Sequence, residues 1–439
     1  MKRVLVLGSG LVAGPLVRYL LDKGHQVAVA TLMVERAEEM IAGHPNGRAF
    51  LLDVRDEAKL SAFVQSCDLA VSLLPFSFHA AVARLCIAQR KHMVTTSYVS
   101  AAMEELDGQA RAAGITILNE IGVDPGFDHM SAMRIIDSAR SRGGNIAAFR
   151  SYCGGLPAPE ANSNPFGYKF SWAPRGVLLA GRNGAQYLVD GRRVEIAPHR
   201  LFRDMHILAI DGLGDFEAYP NRDAVSYVDI YGLGGIRTMY RATLRNIGWC
   251  DTLFHIGRLG LLSLEEMDAG GLTYAGFMRR LIGCDPGEDL KAAVAARLGL
   301  PKEALPVLNL EWLGLFSGRR LSTARISPLD ALGELMFEKL AFQPGERDMV
   351  VLHHDFRIEF PEGRCERVVS ELIEFGIPGG DSAMSRMVAL PAAIGVNMIL
   401  TGRVEARGVL RPTTRDIYDP VLSELEGLGI ACRERTDCF

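Results

Sequence analysis

The chain predicts an α/β fold: a doubly wound parallel sheet in the first third, then a second α/β region carrying a helical insertion. Three observations carry this prediction. Short β-branched runs alternate with helix-length segments from Arg3 to Asn119, the first of these runs ends in a glycine turn, and the alternation breaks after Arg142. Beyond that break come aromatic-rich irregular text, more strands, a long helical stretch and strands again.

The opening segment, RVLVLGSGLVAGPLVRYLLDKG, reads as strand, glycine turn and helix, closing at Gly24. Gly8, Gly10 and Ala13 fit G-x-G-x-x-A. In that pattern the first glycine permits the turn, the second lets backbone approach a pyrophosphate, and a small third residue allows helix and strand to pack. A motif in its required context predicts a Rossmann-type dinucleotide site. The second strand, QVAVAT, ends at Thr31, where an acid would accept from the ribose of NAD. Without that acid a 2′-phosphate is not repelled, and Arg36 follows closely, so NADP is expected over NAD; the plain alternative for Arg36 is an exposed helix residue. AFLLDV ends at Asp53, placed to accept from an adenine amino group, and DLAVSLLP ends at Pro75.

KHMVTTSYVS forms the fifth strand, gathering Thr95, Thr96, Ser97 and Tyr98 at its carboxyl end, and ITILN forms the sixth. In an open α/β sheet, ligands bind at the carboxyl ends of strands. Ser97 and Tyr98 thus read either as site residues or as turn polarity and a half-buried ring. After the sixth strand comes NEIGVDPGFDHM. Here Asp124 reads as a helix N-cap, Pro125 as a first-turn residue and Gly126 as a relaxed backbone position, with a helix over 126–142. A capping carboxylate held at a strand end is also a candidate site residue.

The irregular segment GGLPAPEANSNPFGYKFSWAPRG is too rich in buried-type aromatics for disorder. Gly154 and Gly155 would let amides approach a carboxylate, with Lys169 and Arg175 adding positive charge, unless the segment is only an ordered loop. Arg222, Arg241 and Arg245 lie in or beside further strands, and arginine suits bidentate carboxylate binding; their ordinary reading is surface charge. From Asp251 to Leu340 the text is helical, and the tail after Arg407 is expected to fold back on the first domain.

Composition narrows the function classes. The net charge of −4 is spread without a basic run or acidic tail, so the expected partners are small molecules or another subunit, with no nucleic acid and no membrane. Eight scattered cysteines without a C-x-x-C pair indicate a reducing compartment and no metal site. MKRVLVLG enters a strand directly, with no signal-peptide pattern, so a cytoplasmic protein is expected. The apolar run Met387 to Gly402 reads as a buried packing helix.

Several of these segments together resemble one family. GSGLVAGP, the LDV after the third strand, VSLLPFSFHAAVA, KHMVTTSYVS, NEIGVDPGFDH, SYCGGLPAPE with NPFGYKFSW, and YPNRD followed by YRATLR are similar to the NADP-dependent, glutamate-forming saccharopine dehydrogenases, also called saccharopine reductases. The resemblance implies a Rossmann domain over 1–123 with 391–439 packing back onto it. It further implies an α/β substrate-binding and dimerisation domain over 124–250 and 346–390, and a helical domain over 251–345. It implies a homodimer that joins L-glutamate to 2-aminoadipate 6-semialdehyde and reduces the imine to saccharopine, reversibly, in lysine metabolism. Carried over by residue, Gly8, Ser9, Gly10, Leu11, Val12, Asp53, Val54, Leu74, Ser97, Val123, Asp124 and Pro125 would line NADP, alongside Thr31 and Arg36. Ser97, Tyr98, Asp124, Arg222, Arg241, Ala242 and Thr243 would line the substrate, with Asp124 and Tyr98 as the catalytic pair. Leu32 and Met33 stand where fungal relatives place an arginine, a departure that bears on the 2′-phosphate. Two alternatives accompany this reading. A carboxynorspermidine-type imine reductase would need acidic residues in place of the arginines, and a cofactor-binding regulator would have no use for Tyr98, Asp124 and Arg222.

Overall fold

The structure is a computed structural model describing residues 1–439. The chain forms two compact units, one of Met1–Ile146 with Arg357–Phe439 and one of Ala147–Phe356.

In the first unit β1 (Arg3–Leu7), α1 (Gly14–Asp22), β2 (Gln26–Thr31), α2 (Val34–Ile41), β3 (Gly47–Leu51), α3 (Glu57–Ser66) and β4 (Leu69–Ser72) alternate as the hydrophobic periods require. They continue through α4 (His79–Ala88), β5 (His92–Thr95), α5 (Ala101–Glu104), α6 (Asp107–Ala113), β6 (Thr116–Leu118) and α7 (Phe127–Ser141). Strands β1 and β4 are buried almost throughout, as a parallel sheet covered on both faces demands. Helix α7 begins at Phe127, and its first turn is capped by the Asp128 carboxylate, which accepts from the Gly126 N–H at 2.6 Å. The expected cap at Asp124 is therefore corrected: Asp124 and Pro125 precede the helix, joined by a cis peptide bond.

The second unit contains most of β7 (Asn145–Pro157), followed by α8 (Pro174–Ala180), β8 (Ala185–Val189), β9 (Arg192–Ile196), β10 (His206–Ile210), β11 (Gly214–Pro220), α9 (Ser226–Ile230) and β12 (Thr238–Asn246). Helices α10 (Trp249–Arg258), α11 (Tyr274–Ile282), α12 (Leu290–Leu298), α13 (Leu305–Leu313) and α14 (Pro328–Lys339) follow, with β13 (Met267–Asp268) and β14 (Arg325–Ile326) forming a small ribbon among them. Strand β15 (Asp348–Glu359) then completes the sheet order β10-β11-β12-β7-β15, in which β12 runs parallel to β7 and antiparallel to β11. The aromatic segment, which read either as a carboxylate-binding segment or as an ordered loop, lies in this unit's core, with Phe166, Tyr168 and Phe170 packed among helical residues such as Trp249, Leu310 and Leu332.

The chain then returns to the first unit as β16 (Cys365–Phe375), α15 (Ala383–Leu400), β17 (Gly408–Leu410), α16 (Arg415–Gly427) and β18 (Arg433–Cys438). Strand β17 pairs in parallel with β6, giving an all-parallel order β17-β6-β5-β4-β1-β2-β3, while β16 and β18 pair antiparallel. Helix α15 is apolar enough over its 18 residues to cross a membrane, yet 72% of it is buried in the fold, packed against α1 and β5.

Candidate active site

The glycine turn leaves β1 at Gly8, whose φ of 101° lies where L side chains rarely sit. A Cβ there would come 3.1 Å from the Leu73 carbonyl oxygen, whereas a Cβ on Gly10 would meet nothing within 4 Å. The first position thus needs glycine for the turn, and the second leaves the backbone open to a large ligand. Ala13 is fully buried, as close packing of helix and sheet requires.

Ser9 and Thr31 tie this turn to the end of β2. The Met33 N–H donates to Thr31 Oγ1 at 3.1 Å, the Ser9 hydroxyl donates to the Met33 carbonyl at 3.2 Å, and the two hydroxyl oxygens lie 2.8 Å apart. With the Ser9 proton used, Thr31 donates to Ser9, so the Thr31 proton is committed to protein. Arg36, half-buried in the first turn of α2, has no ion-pair partner. Asp53 is held by its neighbour Arg55 through a fork of hydrogen bonds as short as 2.6 Å. These bonds bring its carboxyl down to about 2, so Asp53 stays anionic at any working pH.

Leu11 in the glycine turn, and Leu32 and Met33 after β2, are exposed, as are Leu51 at the end of β3 and Phe76 beyond β4. Exposed apolar residues gathered at the carboxyl ends of successive strands suit the faces of an adenine and ribose. Leu74 beside Gly8 and Val54 beside Asp53 are half-buried in the same strand-end loops. The open approach to Gly10, the apolar strand ends and the unpaired Arg36 together fit a phosphorylated dinucleotide.

At the ends of β5 and β6 the side chains converge. The Tyr98 hydroxyl donates to Asp124 Oδ1 at 2.7 Å, joining two residues that the sequence places on successive strand ends. The loop carrying Asp124 is folded tightly: the Gly122 N–H donates to the Pro125 carbonyl at 2.9 Å and the Phe127 N–H to the Gly122 carbonyl at 2.8 Å. A Cβ on Gly126, at φ 147°, would fall 2.2 Å from Gly122 backbone, so only glycine fits. Val123 and Pro125 are buried beside Asp124, which is itself half-exposed.

Two groups absent from the sequence expectations also belong here. Buried His79, on α4, has Nδ1 2.8 Å from Ser72 Oγ and Nε2 2.8 Å from Ser97 Oγ, with Thr95 Oγ1 at 3.3 Å. Burial pushes its imidazole down to about 4, so it is neutral near pH 7 and orients Ser97. Buried Glu120 follows β6 with His129 Nε2 at 2.9 Å. The HAAVA segment could have signalled His79, being a polar residue on an apolar helix face; nothing local marks Glu120.

In the second unit the period of β12 places Arg241, Thr243 and Arg245 on one face and Ala242 and Leu244 on the other. Arg241 is buried with its guanidinium 4.4 Å from the Tyr227 ring centre, and Arg222 is exposed at a φ of 54° just beyond β11. Arg245 lies in the core between the Tyr168 and Trp249 rings, which makes it a packing residue.

Other expectations of positive charge are corrected. Lys169 is only 4% exposed, and its ammonium donates to both Glu346 oxygens at 2.6 Å; Arg175 pairs with Asp330. Gly154 sits within β7, where a Cβ would meet Leu244 at 2.8 Å, so close strand packing explains that glycine.

Comparison with known proteins fits this arrangement. Residues 4–118 match the saccharopine dehydrogenase NADP binding domain, and residues 122–430 match the saccharopine dehydrogenase C-terminal domain. The chain is 41% identical over 445 residues to a saccharopine dehydrogenase [NADP(+), L-glutamate-forming] of Pyricularia oryzae, covering 99% of both. It is 38% identical over 441 residues to the mitochondrial alpha-aminoadipic semialdehyde synthase of Mus musculus, covering 98% of this chain but only 47% of that longer protein. The apo saccharopine dehydrogenase (L-Glu forming) of Saccharomyces cerevisiae superposes with a TM-score of 0.88 at 35% identity, over 100% of both chains. A dinucleotide turn, a tyrosine–aspartate pair at neighbouring strand ends and agreement along the whole length lead to one placement: the chain belongs to the saccharopine dehydrogenase family.

Proposed function

We propose that this chain catalyses the NADP-dependent, reversible formation of saccharopine from L-glutamate and 2-aminoadipate 6-semialdehyde. The carrying observation is the Tyr98–Asp124 hydrogen bond, at strand ends of a sheet opened by a dinucleotide turn, in a chain matching glutamate-forming enzymes from end to end. The reaction needs a proton removed from the glutamate ammonium, a carbinolamine dehydrated to an imine, and the imine reduced. Bound NADPH supplies the hydride for that last step.

The protein's own groups hold the reactants and move protons. Gly8 to Val12 would hold the pyrophosphate through backbone N–H groups ahead of α1, and Leu74, Ser97, Val123 and Pro125 would line the nicotinamide half. Asp53, Val54 and Thr31 would shape the adenosine end, and Arg36 would attract the 2′-phosphate. Asp124 is the group that accepts and returns the proton during carbinolamine formation and loss, and Tyr98 fixes which carboxylate oxygen faces the substrate. Arg222 and Arg241 bind carboxylates, assisted by Thr243 and the backbone of Ala242. Free cysteines throughout support a reducing compartment, the cytoplasm, and the active species is a homodimer.

Purified protein given NADPH, L-glutamate and 2-aminoadipate 6-semialdehyde should oxidise the cofactor, faster than with NADH or with a polyamine-derived aldehyde. Absence of turnover with the first mixture would overturn the assignment. Sedimentation of the purified protein as a monomer at assay concentration would refute the dimer.

A further inference from the structure

We infer that Arg411, brought in by the returning C-terminal segment, is a positioning residue for the Tyr98–Asp124 pair and acts through Glu120. The inference rests on reading that pair as the reacting groups. Glu120 is 1% exposed and adopts a φ of 54°, a conformation an L residue holds only where its surroundings impose it. Its backbone N–H donates to the Ser97 carbonyl at 3.1 Å, and its Oε1 accepts from the Val99 N–H at 2.9 Å. Glu120 therefore grips the chain on both sides of Tyr98, while four residues further on the same loop presents Asp124. One residue, through its backbone N–H and its carboxylate, sets where the phenol and the carboxylate meet.

Glu120 is in turn held from outside the six-stranded core of the sheet. Arg411 Nε donates to Glu120 Oε1 at 3.0 Å and its terminal nitrogen to Glu104 at 3.1 Å, while the Asn119 N–H donates to the Leu410 carbonyl at 2.9 Å. His129, on α7, meets the other carboxylate oxygen. Burial pushes the Glu120 carboxyl up, but the hydrogen bond and charge of His129, then the Arg411 charge and the Val99 N–H, outweigh it and hold the group at about 2. Without Arg411 the buried anion would lose a cationic side-chain partner, and the conformation at Glu120 would lose a reason to persist. The added strand β17 thereby does more than lengthen the sheet: it locks the loop from which Asp124 acts.

The test uses the full chain and compares Arg411→Met, Arg411→Lys and Glu104→Gln. Arg411→Met should lower kcat for saccharopine oxidation by about tenfold or more, as a small misplacement of reacting groups does, with the KM for NADP within about twofold of wild type. Arg411→Lys should recover most of the rate, and Glu104→Gln, which touches only the exposed end of Arg411, should leave it unchanged. Independently of activity, the side-chain carbon resonance of Tyr98 in ¹³C-tyrosine-labelled protein, assigned by its loss in Tyr98→Phe, should shift in Arg411→Met. If Arg411→Met does not fold, Arg411→Gln, which keeps an N–H donor without the charge, is read in the same way. Lower thermal stability with unchanged kcat and an unmoved Tyr98 resonance would overturn the inference, leaving Arg411 a brace only. Should wild type lack turnover, the proposed reaction fails, and the resonance alone decides whether Arg411 positions the pair.

Discussion

Removing the Tyr98 hydroxyl tests the site most directly. Tyr98→Phe keeps the ring and deletes one donation to Asp124 Oδ1, a 2.7 Å hydrogen bond to an acceptor that is charged when ionised. Such a bond contributes ~2 kcal/mol, which corresponds to roughly 30-fold in rate if it is made in full at the transition state. Asp124→Asn keeps the shape but cannot take up a proton, and loss of a general base costs about 100-fold or more. In the Asp124→Asn background the phenol retains only a neutral partner, so the second change, Tyr98→Phe, should cost less than about fivefold. The assay is initial-rate oxidation of saccharopine with NADP, followed by NADPH absorbance for the wild type, both single variants and the double variant. Equal losses from Tyr98→Phe in both backgrounds would refute the reasoning, because the two side chains would then act independently.

Three further outcomes follow from the geometry. Gly8→Ala must place a Cβ 3.1 Å from the Leu73 carbonyl at a φ of 101°, a strain of ~1–3 kcal/mol; fluorescence titration should show NADPH binding weakened about tenfold, and an unchanged Kd would refute the tight turn. Burial lowers the His79 imidazole from 6.5 to about 4, so the unfolded chain takes up the proton first. Stability is fully present above pH 6.5 and falls by up to ~3 kcal/mol as the pH drops through 4; urea melts of His79→Gln between pH 7 and 4 should lack that part of the loss. Lys169→Met removes a buried ammonium from the partly exposed Glu346 carboxylate and should cost ~2 kcal/mol in urea unfolding with KM for saccharopine unchanged; the opposite pattern would make Lys169 a substrate ligand.

The alternation of strands and helices in the first sheet was legible because each carries its own period and because G-x-G-x-x-A sat where a strand meets a helix. The alternation of Arg241 and Arg245 with apolar residues was legible on the same ground, since a period of two puts them on one face whatever lies beyond. Asp124 and Tyr98 were expected together after neighbouring strands, and a 2.7 Å hydrogen bond joins them; the cap was misplaced, since a local pattern suggested it at Asp124 while the folded chain gives that role to Asp128.

The alternation of elements, the glycine turn and the residue types at the strand ends are written locally, since all of them depend on neighbours a few positions apart. Tertiary structure alone decided that β17 and Arg411 arrive beside β6, that Glu120 braces the Tyr98 segment, that His79 reaches Ser97, and that Lys169 is spent on Glu346. These pairings join residues far apart in the chain, 291 positions for Arg411 and Glu120. Their partners are chosen by sheet order and burial, and no local spacing records which distant charge or hydroxyl will be at hand once the sheet has closed.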